Sequence, residues 1–385
     1  MYLTYNINKT MHVCYFGTYR TNYSRNRILI EGLRQNGVEV TECNVPLWQG
    51  VEDRVQAASG GWIRPSFWWR VFITYFRLLI KYRSVKNYDI LMVGYPGQID
   101  VILAKILSVI YKKPLIWDIF MSIYLIACER GLNKYKFTIK LIYMLERFAT
   151  KLPDLLIIDT QEYMNWFVDQ YQIPPQKFRL VPTGADDRIF YPIPKTSDED
   201  PCFRVLYYGS FIKNHGVEYI IEAANLLSKQ KNIHFILIGD GPEKKNAIKL
   251  IDKYNLQNIT FFSWIDKNEL RQFIANADIC LGAFGETPQS IMTIQNKIYE
   301  SMAMAKPIIT GESPAVNRLL THKIHVYLCK RKNPSSLAEA IIDLMNNPKL
   351  QEVLSKNGYK IFLEEYSLRN NGIRLLNLLS ELYSP

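Results

Sequence analysis

Short apolar runs alternate with helically periodic stretches along nearly the whole chain. Runs at 11–16, 38–43, 89–93, 114–117 and 155–158 have the length of buried strands, and 98–111 and 134–150 between them have helical character. This alternation predicts a parallel sheet covered by helices, an α/β class. The rhythm restarts at 203–208 and continues through runs at 233–238, 258–264, 279–284, 307–310 and 325–329. Helices are expected over 217–229, 267–277 and 334–364. Between the two series, 191–201 carries three prolines and several charges without apolar periodicity, which reads as a linker. Two domains are therefore expected, 11–190 and 203–365. A length of 385 residues suits that division.

Composition narrows the class. The hydrophobic fraction of 48% is ordinary for a globular chain. Six scattered cysteines form no C-x-x-C pair, so they read as free thiols of a reducing cytoplasm. Five dispersed histidines give no metal-ligand spacing, and no metal or cofactor is expected. Residues 1–10 are polar, without the apolar core of a secretory leader, and no apolar span is long enough to cross a bilayer.

The net charge of +11 matters through its placement: 54–88 holds seven Lys and Arg and no acid. Within it, 67–83 reads as a helix with a single polar stripe, Arg70, Thr74, Arg77 and Lys81, on an otherwise aromatic and aliphatic cylinder. Two readings stay open. The segment 62–86 lies on an anionic membrane surface, or the helix is core and shows only its charged edge to water. Nucleic acid is not expected, because the aromatics do not interleave with the basic residues as a stacking platform would.

Candidate chemistry centres on 278–311, a strand–loop–helix–strand unit in which ligands sit beyond the strand ends. Lys297 and Glu300 lie one turn apart near the helix start, either as a solvated pair or as two groups aimed at one ligand. The stretch Lys297-Ile-Tyr-Glu300-Ser-Met-Ala-Met-Ala-Lys306-Pro307 resembles the nucleotide-sugar signature of group 1 retaining glycosyltransferases, which have the GT-B fold. That resemblance implies two Rossmann-like domains facing each other across a cleft, with a final helix, within 366–385, packing back on the first. It implies a metal-independent enzyme whose substrates are a nucleotide-sugar donor and a glycan or lipid-linked acceptor.

Residue by residue, the resemblance gives Glu300 to the donor ribose, and Asn296-Lys297 matches one branch of the family. Gly209-Ser210, Lys213 and His215 stand where the family binds the donor diphosphate, with Ser210 replacing its arginine and His215 its lysine. Gly239-Asp240-Gly241 borders the nucleotide. Lys297 and His215 would stabilise charge on the departing phosphate. Gly17, with Arg25 and Arg27 in the loop and helix after it, would meet the acceptor; each arginine alone also reads as a surface cation. Asp118 matches a family aspartate beside the sugar, or else caps the following helix, and Trp117 replaces the family histidine before it. The family's first glutamate falls at Met292. Asp198-Glu199-Asp200 copies a metal-binding Asp-x-Asp but lacks the preceding apolar strand. The departures at Met292, Trp117 and Ser210 motivate one alternative, a catalytically silent membrane-associated assembly subunit. A nucleotide-sugar epimerase of the same fold is another.

Overall fold

The computed structural model describes residues 10–47, 64–85, 87–196 and 202–383. The prolonged basic segment is thus seen from Arg64, while 62–63 and Lys86 lie outside the described residues, as do Asp198, Glu199 and Asp200. The chain forms two compact units, 1–182 with 368–385, and 183–367.

The first unit runs β1 (His12–Gly17), α1 (Ser24–Gln35), β2 (Glu39–Asn44), α2 (Pro65–Tyr82), β3 (Ile90–Val93), α3 (Asp100–Tyr111), β4 (Leu115–Asp118), α4 (Ile123–Glu129), α5 (Lys136–Ala149), β5 (Leu155–Ile158), α6 (Gln161–Tyr171) and β6 (Phe178–Leu180). Its six strands are all parallel, in the order β2-β1-β3-β4-β5-β6. Every residue of β3, β4 and β5 is buried, which is why their sequences are continuous apolar runs rather than alternating ones. Two of these helices start where a side chain satisfies a free amide: Ser122 accepts from Leu125 N before α4, and Thr160 from Tyr163 N before α6.

The second unit runs β7 (Phe203–Tyr208), α7 (Val217–Leu226), β8 (Ile233–Ile238), α8 (Lys244–Tyr254), β9 (Ile259–Phe262), α9 (Lys267–Asn276), β10 (Ile279–Leu281), α10 (Pro288–Met292), α11 (Asn296–Ala303), β11 (Ile308–Gly311), α12 (Pro314–Leu319), β12 (Tyr327–Cys329), α13 (Pro334–Asn346) and α14 (Pro348–Ile361). Its parallel order is β12-β11-β10-β7-β8-β9. The direction of strand addition reverses between β7 and β10, and such a switch point opens a crevice at the carboxyl ends of the strands.

Residues 183–190, expected to close the first domain, belong to the second unit. Ala185 and Phe190 pack into its core beside Tyr299 and Tyr366. The proline-rich stretch therefore follows the change of unit instead of marking it. The last helix, α15 (Leu368–Tyr383), belongs to the first unit and lies along α1. The two helices meet at Gly32 and Gly372, where a Cβ on Gly372 would fall 1.9 Å from the Gly32 carbonyl oxygen. Leu375 and Leu379 are thereby buried against Leu29 and Leu33, contacts each worth about 1.5–3 kcal/mol.

Candidate functional site

The second unit's switch point is built from three loops. Gly209, directly after β7, has φ +139°, a left-handed value that glycine adopts without strain. A Cβ there would lie 2.9 Å from Lys297 Nζ, so the missing side chain also makes room for that lysine. Gly209 N donates to Ile238 O and Phe211 N to Asp240 O, tying the β7 loop to the β8 loop. Phe284 N donates to His215 O, tying it to the loop after β10.

Lys297 stands on the first turn of α11 and is buried. Its ammonium lies 3.9 Å from the Tyr207 ring centroid and 3.5 Å from His215 Nδ1. Among the described residues it takes no ion pair. Burial holds its pKa well below the usual lysine value, with Glu300 pulling the other way. His215 Nδ1 lies 2.7 Å from Ser210 O. A carbonyl only accepts, so Nδ1 carries a proton there and Nε2 is left for other partners. Burial, then Lys297 and Arg331, push the imidazole well below its ordinary pKa, against the Ser210 carbonyl. Glu300 is half-buried, its carboxyl raised by burial and lowered by Lys267, Tyr208 and Lys297. The Tyr208 hydroxyl donates to Lys297 O at 3.0 Å and fixes this first helical turn.

Lys297, His215, Ser210 and Gly209 are therefore brought together, with Glu300 one turn further along the same helix. Lys213 is exposed on the same loop, and Asn296 is half-buried beside Lys297. Gly239 is buried under the Gly209 carbonyl. Asp240 turns toward its own helix: it accepts from Gly241 N at 2.7 Å and from Lys244 Nζ at 2.9 Å, and these bonds lower its pKa. Met292, at the family's first glutamate, is core.

Arg331 was not anticipated from sequence. Its guanidinium donates to Glu312 O, Gly285 O and Gly311 O, and burial lowers its pKa to about 10. It clamps the β10 loop that packs on His215. Its place just beyond β12, at a carboxyl strand end, is the signal that could have revealed it.

In the first unit the expected acceptor and catalytic residues have other work. Arg25 and Asp118 are both fully buried and form an ion pair, Nη2 to Oδ1 at 2.8 Å, with Nε bonding both carboxylate oxygens. Arg25 Nη1 donates to Val181 O and Pro182 O. Neither residue is left to meet an acceptor, which corrects both assignments; nor does Asp118 cap α4, a role taken by Ser122. Trp117 is core. Gly17 is buried where a Cβ would lie 2.7 Å from Asp100 Oδ2, and Thr18 N and Oγ1 bond that carboxylate. Arg27 is half-buried. Beside the ion pair, Asp159 is buried with one carboxylate oxygen that makes no hydrogen bond among the described residues, and burial raises its pKa to about 7 despite Arg25. Tyr23, Tyr95 and Phe120 cluster over the same strand ends, with the Phe120 ring on Arg25.

Residues 193–361 match the family described as glycosyl transferases group 1. That match lies wholly within the second unit, 183–367. The chain is 28% identical over 179 residues to α-D-kanosaminyltransferase of Streptomyces kanamyceticus, covering 46% of this chain and 45% of that protein. It is 25% identical over 179 residues to the lipopolysaccharide core biosynthesis glycosyltransferase LpsD of Rhizobium meliloti, covering 46% and 49%. The chain thus spans about half the length of these curated relatives. Its fold is that of sucrose-phosphate synthase from Thermosynechococcus elongatus, with a TM-score of 0.74 over 97% of this chain and 99% of that one at 15% identity. Anabaena HepE, solved in complex with UDP-glucose, gives 0.67 over 97% and 99% at 15% identity. The chain has the GT-B fold.

Proposed function

We propose that this protein is a glycosyltransferase that moves a sugar from a nucleoside diphosphate sugar to a glycan or lipid-linked acceptor, with retention and without a metal. The observation that carries the donor half is Lys297. A buried ammonium that pairs with no carboxylate among the described residues, packed against a histidine at a strand switch point, is a charge that an anionic ligand completes. The donor diphosphate supplies two such charges. Lys297 would hold it as a point charge, assisted by His215, Lys213 and backbone N–H groups at the start of α7. As the glycosidic bond breaks, negative charge grows on the departing phosphate, and fixed donors already in place favour that state. Glu300 would take the ribose hydroxyls. The exposed aromatics of α2 and the cations Arg77 and Lys81 support placing the segment 62–86 on an anionic membrane surface, where a lipid-linked acceptor would be found.

Titration calorimetry of the intact protein with UDP and UDP-glucose, beside an assay of donor hydrolysis, tests the reading. Glu300→Gln should weaken binding by about 1.5–3 kcal/mol and leave the melting temperature unchanged. A variant that binds nucleotide as the wild type does removes Glu300 from the site. Tight binding without any turnover would favour the silent subunit, and interconversion of free donor sugars the epimerase.

A further inference from the structure

The first unit hides one face of its sheet and leaves the other helix layer apolar on the outside. The step from β1 to β2 runs opposite to the steps that reach β3, β4 and β5. Right-handed crossovers therefore put α1 on one face of the sheet and α2, α3 and α5 together on the other. α1 is covered by α15. The other three helices form one layer. Tyr82 and Tyr111 touch between α2 and α3, with ring centroids 5.7 Å apart, and Tyr75 Oη donates to Asp100. Gln98, just before α3, donates to Glu146 of α5.

The outer surface of this layer is inverted. On α5 the buried positions include Thr138 and Glu146, while Phe137, Leu141, Met144 and Phe148 face out at spacings of four, three and four. Phe137 is 70% exposed. On α2, Trp69, Phe72 and Phe76 form an exposed stacked row. On α3, Val109 and Ile110 are 65% and 63% exposed. Ordinary soluble surfaces do not line three neighbouring helices this way.

Charge selects the occupant. The three helices contain only two acids, Asp100 and Glu146, and both are buried. Their exposed cations are Arg77 and Lys81 on α2 and Lys136, Lys140 and Arg147 on α5. A second copy would bring like charges face to face. An anionic surface with an apolar interior complements both features. Among the described residues no helix is long and apolar enough to cross a membrane, so the layer lies on a bilayer and does not enter it as a span.

We propose that the outer surface of α2, α3 and α5 is a single docking plane for an anionic phospholipid bilayer, in which α5 is an anchor equal to α2. This extends the membrane reading given above for 62–86 alone to α3 and to α5, which begins 50 positions beyond that segment. Aromatic and aliphatic side chains enter the interface, and the basic residues around them meet lipid headgroups.

Co-sedimentation of the full chain with phosphatidylglycerol–phosphatidylcholine vesicles and with phosphatidylcholine vesicles tests it. The wild type should bind the anionic vesicles and lose binding with added salt. Phe137→Gln with Met144→Gln and Phe148→Gln should weaken partition by about tenfold or more. Lys136→Glu with Lys140→Glu should weaken it by about fivefold per charge or more. Both variants should keep the wild-type melting temperature and nucleotide binding, because the altered residues are exposed. If the α5 variants bind as the wild type while Trp69→Gln with Phe76→Gln does not, the three-helix plane is wrong and the α2 reading stands. If the wild type ignores anionic vesicles, both membrane readings fall, whereas donor turnover is decided separately. A wild-type dimer that the α5 variants split, without vesicle binding, would make this face a subunit interface and overturn the proposal, as would loss of folding in those variants.

Discussion

Two buried cations at strand ends, Arg25 and Lys297, have opposite characters. Arg25 is closed on itself chemically: a carboxylate and two carbonyls engage all three of its nitrogens. Lys297 faces a ring, a histidine and a glycine backbone, and burial works against its charge. A satisfied buried charge belongs to the architecture. Lys297, which pairs with no carboxylate among the described residues, is the charge that the proposed donor would complete.

Removing Arg25 should have the largest effect. Arg25→Ala leaves Asp118 buried and unpaired, a change that costs about 3–5 kcal/mol. Urea denaturation should register the loss, and Arg25→Met with Asp118→Leu should recover most of it. An Arg25→Ala protein of wild-type stability that fails only with acceptor would erase the contrast and restore the acceptor assignment.

Lys297→Ala should be nearly the reverse. Stability should hold or rise slightly, since a strained buried charge is removed. Turnover should fall by roughly 10²–10³, the scale set by losing one preorganised donor to a developing anion. Donor affinity should fall less, because charge on the phosphate grows only as the bond breaks. Single-turnover kinetics beside calorimetry would separate the two, and unchanged turnover would place the phosphate site elsewhere.

The smallest effect is a pH dependence of nucleotide binding on the Lys297 side. His215 and Lys297 both have lowered pKa values without ligand. A bound diphosphate favours their charged forms, so binding takes up protons wherever pH lies between the free and bound values. Nucleotide affinity should therefore weaken as pH rises, by up to about tenfold per pH unit for each proton coupled. The same depression makes the unfolded chain bind more protons than the folded one. For His215, ligand-free stability should fall as pH drops below about 6.5, and that contribution should be absent in His215→Gln. Calorimetry in buffers of different ionisation enthalpy reads the proton uptake directly; none at all would show that neither group meets the anion.

Much of the architecture was legible because parallel strands covered on both faces must be apolar throughout, as in β3 to β5. The Lys297–Glu300 stretch was legible because one turn of helix holds both residues. Arg25 and Asp118 were misread for the converse reason: they are 93 positions apart, and no local pattern says that they meet. The boundary near residue 190 was misplaced because proline content marks a bend in the chain, while Phe190 is held by packing beyond it. For α5, the sequence predicts a helix over 134–150 but does not say which of its sides faces the sheet. Glu146 decides that, through bonds to Gln98, Ser122 and Tyr171 on elements distant in sequence.

The return of α15 to α1 also fixes an order of synthesis. Residues 183–367 form a continuous unit, able to close as soon as it leaves the ribosome. The amino-terminal unit, though made first, must wait for Gly372 to reach Gly32. At about 5–20 residues per second that delay is roughly 10–40 s, during which Leu29 and Leu33 stay uncovered on the nascent chain. The part translated earliest is the part completed last.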